Sequence, residues 1–199
     1  MYPLLETIKC NNGKLFNMEF HQARFEKAFR EYFKTSPKIN LFESIEIPEF
    51  AKSGLFRCRV SYSEQIEKIE FIPHQCREIK SLKLMEDNEI DYHFKYAGRE
   101  KLNRLFENRG ICDDILIVKN GCITDSFAAN TVFFDGAKWW TPNTPLLAGT
   151  QRAKLLEENK IFECRITPGD ISKYKKVGLI NALNNLDEMP QIEIENIFQ

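Results

Sequence analysis

Lys95 has neighbours that suit amine chemistry. It lies between Phe94 and Tyr96 and follows Tyr92 and His93. Aromatic neighbours can strip water from an ammonium and lower its pKa, which a Schiff-base lysine needs. An alternating strand produces the same pattern, and most lysines are solvated surface charges. Further along come polar residues at suggestive spacing: Asp125, Asn130, Thr141-Pro142, then Leu147-Ala148-Gly149-Thr150-Gln151-Arg152. Singly, none is informative.

The elements that must hold these residues can be read from periodicity and punctuation. Leu4 to Cys10 is strand-like, Asn11-Asn12-Gly13 turns, and Lys14 to Asn17 returns. Asn17 is placed to cap a helix from Met18 to about Lys34, with Phe25, Ala28, Phe29, Tyr32 and Phe33 on its buried face. Phe56, Cys58, Val60 and Tyr62 alternate with Arg57, Arg59 and Ser61, a half-buried strand. Ile66 to Ile72 is its hairpin partner, and Ser81 to Met85 is one more strand. The acidic stretch from Glu86 to Asp91 marks a domain boundary, giving a small domain over 1–86 and a larger one over 87–199. Beyond it, Arg99 to Asn108 is helical, and strands follow at Asp114 to Val118, Cys122 to Asp125, Asn130 to Phe134 and Lys138 to Thr141. Thr150 is placed to cap a helix reaching Asn159. Phe162 to Ile166 is a strand, Thr167-Pro168-Gly169-Asp170 starts a short helix, and Val177 to Ala182 is the last strand. Strands dominate without strict βαβ alternation, so the class is α+β.

Composition excludes several functions. Lys plus Arg number 28 against 29 Asp plus Glu, a balance that offers nothing to nucleic acid or to an anionic membrane. Apolar runs such as Ile115 to Val118 are far too short to span a bilayer, and Glu6 stands where a secretory apolar stretch would lie. A cytoplasmic protein with six reduced cysteines is therefore expected. No Cys or His spacing builds a metal site, so no metal is expected.

Longer motifs carry a resemblance. Gly121-Cys-Ile-Thr-Asp-Ser-Phe-Ala-Ala-Asn130-Thr-Val-Phe is similar to the G-x-(V/I)-T-E-x-x-x-x-N-(I/L)-F signature of class IV aminotransferases. Thr141-Pro142 and Leu146-Leu147-Ala148-Gly149-Thr150-Gln151-Arg152 resemble that family's next elements. Lys95 stands thirty residues before Asp125 and just before a helix, as the family's cofactor lysine does; Lys101, the rival, falls inside the helix. At the N-terminal end, Glu6-Thr7-Ile8, Asn12-Gly13 and His21-Gln-Ala-Arg24-Phe25 resemble the family's opening strand, turn and first helix. The match covers residues 1 to about 35 and 91 to 186; between them only strand character agrees. The chain is shorter than usual for the family, which suggests a trimmed small domain and shortened substrate loops.

The resemblance implies a two-domain fold like that of D-amino acid aminotransferase, a pyridoxal 5'-phosphate cofactor, a small amino substrate and a homodimer. It implies that Lys95 carries the cofactor and shuttles the substrate proton. Asp125, one methylene shorter than the family's usual Glu, would pair with the pyridine nitrogen. Asn130 belongs to the same cofactor-binding signature. Arg24, Gly149, Thr150 and the Asn181-Ala182 pair would hold the phosphate, the helix start being suited to an anion. The plain alternatives are a strand-end turn for Asp125, a solvated charge for Arg24 and a simple N-cap for Thr150. Asn181-Ala182-Leu183 and Arg99 tilt the reaction towards 4-amino-4-deoxychorismate lyase. A branched-chain or D-amino acid transaminase is the alternative, and a cofactor-binding relative without turnover is a third.

Overall fold

A computed structural model describes residues 3–199. Among them the chain forms two compact units. The first comprises residues 3–76 and 94–98, and the second 77–93 and 99–199.

In the first unit, β1 (Leu4–Asn11) turns through Asn12 and Gly13, both at positive φ, into the two-residue β2 (Lys14–Leu15). That pair of left-handed residues is what a tight hairpin requires. Helix α1 (Met18–Ala28) buries His21, Phe25 and Ala28. Asn17 stands at the N-cap position but is left-handed and makes no side-chain cap. The helix is also shorter than its periodicity suggests. From Phe29 to Phe33 the chain widens into a π-helical turn, closed by left-handed Lys34. Ring packing accompanies the widening: Tyr32 lies 5.4 Å from Phe94 and Phe29 4.7 Å from Phe25, and Phe25 in turn meets Tyr62 at 4.7 Å. The short α2 (Leu41–Ser44) is capped by the Asn40 side chain. Strands β3 (Leu55–Tyr62) and β4 (Ile66–Pro73) complete a sheet ordered β2-β1-β3-β4. Leu4, Ile8, Phe25, Cys58 and Val60 are at the centre of its core. Residues 94–98 join this unit through an antiparallel bridge between Leu4 and Tyr96, with the Leu5 amide donating to the Lys95 carbonyl at 3.0 Å.

The second unit begins earlier than residue 87. Strand β5 (Leu82–Glu86) runs parallel to β6 (Asp114–Lys119), from Leu82 opposite Asp114 to Glu86 opposite Val118. This pairing moves the strand out of the small domain in which the acidic stretch had placed it. Helix α3 (Glu100–Glu107) packs Leu102 against Ile115 and Ile117. A turn at Asn120-Gly121, both at positive φ, leads to β7 (Cys122–Ser126), followed by β8 (Asn130–Phe134) and β9 (Trp139–Pro142). Helix α4 (Thr150–Glu157) and β10 (Phe162–Cys164) come next, and β11 (Lys176–Ile180) pairs with β8. Between β10 and β11 a 3-10 segment, Pro168–Lys173, begins where the Asp170 carboxylate accepts from Thr167. Two C-terminal strands have no forecast in the sequence: β12 (Gln191–Glu193) on β11, and β13 (Ile197–Phe198) parallel to β5. No helix among the described residues is long and apolar enough to cross a membrane.

Candidate active site

The residues singled out by the sequence fall into two clusters, one in each unit. The first centres on Glu6, in the middle of β1 and without solvent exposure. Its two carboxylate oxygens accept from Arg24 Nε at 2.9 Å and Nη2 at 2.5 Å, and Oε2 lies 2.6 Å from His21 Nδ1. The spacing of His21 and Arg24, one helical turn apart on α1, puts both above the same strand residue. Burial alone would raise the Glu6 pKa. The adjacent Arg24 guanidinium and the His21 hydrogen bond outweigh it and hold the carboxyl at about 2. His21 moves the other way. Burial lowers its pKa, and the Arg24 and Lys95 cations add to the effect against the pull of Glu6. Arg24 is therefore no loose helix charge: Glu6 fixes its guanidinium by two parallel bonds.

Lys95 is half-buried in the segment bridged to β1, and it acts on His21. Phe94 and Tyr96 on either side of it pack into the first unit's core, so the aromatic flank is real. Lys101, by contrast, is exposed on α3 with Nζ donating to the Glu89 carbonyl at 2.8 Å.

The second cluster centres on Asp125, near the end of β7 and buried. One of its oxygens accepts from Asn130 Nδ2 at 2.9 Å and the other from the Leu147 amide at 2.9 Å. Asn130 Nδ2 also donates to the Leu147 carbonyl at 2.8 Å, so it fastens the 147 loop to the Asp125 carboxylate. Burial pushes Asp125 up to about 6, against the Leu147 amide, the Asn130 amide, the Arg152 charge and the Leu146 amide. Arg152 itself is committed to the Pro142 carbonyl at 2.9 Å and to Glu163 at 2.5 Å.

Gly149 has a specific reason to be glycine. A Cβ there would sit 2.0 Å from Asn130 Oδ1. Gly149, not Thr150, is the N-cap of α4 and brings no capping side chain; Thr150 is the buried first helical residue. The assignment of Thr150 as the cap is thus corrected by one position, because Asn130 fills the space a capping side chain would need. The Asn181 side chain organises a turn, its Oδ1 accepting from the Leu183 amide at 2.9 Å and the Asn184 amide at 3.1 Å. Ala182 is half-buried inside that turn.

Sequence reasoning named Arg24 but missed that Glu6 is its partner and that His21 shares the same carboxylate. The signal was present in the pairing of a lone acidic residue on an apolar strand face with His and Arg three apart. It also missed the Leu147 amide, which no side-chain motif can reveal.

Comparison with known proteins identifies the family. Residues 91–187 match the amino-transferase class IV family. An uncharacterised protein of Haemophilus influenzae is 43% identical over 188 residues, which is 94% of this chain and the whole of that protein. A provisionally assigned 4-amino-4-deoxychorismate lyase of Haemophilus somnus is 34% identical, superposes with a TM-score of 0.82, and is matched over 94% of this chain and 98% of its own. The branched-chain amino acid aminotransferase of Escherichia coli shares the fold at 16% identity, with a TM-score of 0.72 over 98% of this chain and 76% of that one. The chain belongs to the class IV aminotransferases, a family of pyridoxal 5'-phosphate-dependent enzymes.

Proposed function

We propose that Lys95 carries pyridoxal 5'-phosphate and that the enzyme breaks down an aminodeoxychorismate-like substrate to pyruvate and 4-aminobenzoate. The observation that carries the cofactor assignment is the state of Asp125. It is a buried carboxylate whose hydrogen-bond donors are neutral amides, and burial lifts its pKa to about 6 despite the Arg152 charge. A cation brought by a ligand would favour its charged form, and a protonated pyridine nitrogen is one. The bare glycine cap and buried Thr150 at the start of α4 in the second unit offer donors of the kind a phosphate takes, and so, in the first unit, does the fixed Arg24 guanidinium.

When bound, the cofactor stabilises negative charge on the carbon that bears the substrate amine. Lys95 Nζ takes the proton from that carbon. The ether bond at the neighbouring carbon then breaks, enolpyruvate leaves and becomes pyruvate, and the ring is left aromatic. Asp125 would hold the cofactor's pyridine nitrogen protonated, which is what lets the cofactor take up that charge. Two features favour elimination over transamination: Asn181-Ala182-Leu183 at the end of β11, and 34% identity to the H. somnus protein. A homodimer is part of the same reading and is checked by light scattering.

Two measurements test it. Borohydride reduction followed by peptide mapping should place the adduct on Lys95, and Lys95→Ala should abolish it; an adduct on Lys101 would refute the assignment. Separate incubations with aminodeoxychorismate, and with an amino acid plus 2-oxoglutarate, should give pyruvate and 4-aminobenzoate from the first and no glutamate from the second. Glutamate formation alone would make the protein a transaminase.

A further inference from the structure

The turn between β7 and β8 joins Asp125 to Asn130, and Phe127 lies within it. Phe127 is held through its amide, its carbonyl and its ring. The amide donates to Asp114 Oδ1 at 3.2 Å, and the carbonyl accepts from Arg99 Nη2. The ring is stacked on Phe106 with centroids 4.2 Å apart, and the Arg99 guanidinium lies 4.2 Å from its centroid. Arg109 covers Phe106 in the same way at 4.0 Å. Among the described residues, Arg99 alone holds both the ring and the backbone of Phe127. The rest of the turn is tied more weakly: the Ala128 carbonyl accepts from Asn181 Nδ2 at 3.3 Å, and the Ala129 carbonyl closes the turn on the Ser126 amide.

Phe127 also supports the other side of the Asp125 carboxylate. It packs with Leu146 against Ile115 and Ile117, and the next residue, Leu147, gives Asp125 its amide. Asn130 is thus steadied through the turn and Leu147 through the core beside it. Arg99 Nε is buried with no hydrogen-bond partner among the described residues, which costs stability. A methionine could cover the same ring without that unmatched donor. Packing alone therefore does not call for arginine at position 99, whereas the bond to the Phe127 carbonyl does.

We propose that Arg99 is a positioning residue: by holding the ring and carbonyl of Phe127 it sets the turn that aims Asp125 and Asn130, and with it the grip on the cofactor's pyridine ring. It rests on Asp125 being the partner of that ring. In the sequence, Arg99 tilts the reading towards the lyase. In this role it serves elimination and transamination alike, because both draw on the same ring.

The test compares the cofactor-free protein with Arg99→Met, Arg99→Lys and Phe127→Leu by amide hydrogen exchange. In Arg99→Met the Leu147 amide should exchange about tenfold faster, the effect of losing about one hydrogen bond. The Leu116 and Ile117 amides of β6 should keep their protection, and Arg99→Lys should recover part of the loss at Leu147. Cofactor affinity, followed by fluorescence titration, should weaken by a similar factor in Arg99→Met, and kcat of the loaded enzyme should fall more than KM rises. Combining Arg99→Met with Phe127→Leu should be less than additive, since both undo one clasp. Unchanged Leu147 exchange, or equal acceleration at Leu147 and Ile117, would overturn the proposal, the second by making Arg99 a folding residue. So would faster Leu147 exchange with cofactor affinity and kcat unchanged, or a rise in KM alone, which would place Arg99 on the substrate. Failure of the cofactor reading looks different. A borohydride adduct away from Lys95, with Leu147 exchange still accelerated in Arg99→Met, sinks that reading and keeps the clasp.

Discussion

Each unit buries one carboxylate at its functional cluster, and the two are treated in opposite ways. Glu6 is enclosed by a guanidinium and an imidazole, and its pKa falls to about 2. Asp125 is buried against neutral amide donors, with the Arg152 charge too weak to offset desolvation, and its pKa rises to about 6. Both are removed from water, so burial alone does not decide the outcome; the charge of the neighbours does. Glu6 is a finished ion pair that orients Arg24. Asp125 is held by neutral donors and has no cation in direct ion-pair contact among the described residues, the Arg152 charge acting without a bond to it. Under the proposed function, a carboxylate of the first kind supports the site and one of the second kind receives the ligand's charge.

The largest effect that would break this contrast is at Glu6. Glu6→Ala leaves the Arg24 guanidinium facing a buried void, and removing one partner of a buried pair costs about 3–5 kcal/mol. Urea unfolding of the variant should show a loss of that size. A loss below about 1 kcal/mol would mean that the pair is no more than a surface contact.

The pH dependence of the cofactor-free protein should sharpen the contrast. Asp125 keeps its proton to higher pH when folded than when unfolded, so its contribution falls as pH rises from about 4 to 6. Two pKa units correspond to roughly 3 kcal/mol. Glu6 has the opposite sign: its contribution is present above the unfolded pKa near 4.5 and is lost as pH falls towards 2. Subtracting the Asp125→Asn profile from the wild-type profile should therefore leave a slope between pH 4 and 6. A flat difference would show that Asp125 is not desolvated in solution. In the loaded enzyme the same substitution should keep cofactor attachment and lose most of the turnover, since an amide cannot hold the ring nitrogen protonated. Asp125→Glu should be tolerated.

Much of this architecture was legible because it is local. The alternation of β1 and β3, the Asn-Gly turns, the buried stripe of α1 and the aromatic flank of Lys95 all lie within a few residues in sequence. The parts that were missed depend on distant partners. Parallel pairing of β5 with β6 and β13 leaves no mark on a five-residue apolar strand, so the boundary at residue 86 fell on the wrong side of it. The end of α1 at Ala28 lies inside an unbroken periodic stretch, where ring packing on Tyr62, Phe94 and Tyr96 accompanies the widened turn. The role of Glu6 needed a contact across 18 residues to Arg24, and the cap position on α4 needed Asn130 brought against Gly149.

Gly149 tests how rigidly Asp125 is held. Its backbone is unstrained, so Gly149→Ala acts purely through space. The new methyl would meet Asn130 Oδ1 and force that side chain away from both Asp125 and the Leu147 carbonyl. Losing a hydrogen bond to a charged group costs about 1.5–3 kcal/mol. Cofactor affinity measured by fluorescence titration should fall accordingly, by roughly tenfold to a hundredfold. Pairing the change with Asn130→Ala is informative. If Asn130 is the route, the double variant should be little worse than Gly149→Ala; fully additive losses would place the effect elsewhere.

The smallest change probes the far end of the same loop. Thr150 contributes both a backbone amide and a hydroxyl at the first position of α4, and only the hydroxyl is removed in Thr150→Ala. The amide and the helix dipole remain, so the phosphate would keep part of its grip. Cofactor retention should weaken by about tenfold, near the lower end for a charge-assisted bond. Thr150→Ser restores the hydroxyl without the methyl and should return affinity to within about twofold of wild type, since the lost methyl touches packing rather than the anion. Because Thr150 is buried, folding stability must be followed in parallel. A Ser variant as weak as the Ala variant, with stability lost equally in both, would make Thr150 a packing residue and leave the phosphate to the backbone and to Arg24. Recovery in Ser alone would instead separate hydroxyl chemistry from packing at the one position where the simple helix-start reading and the ligand reading coincide.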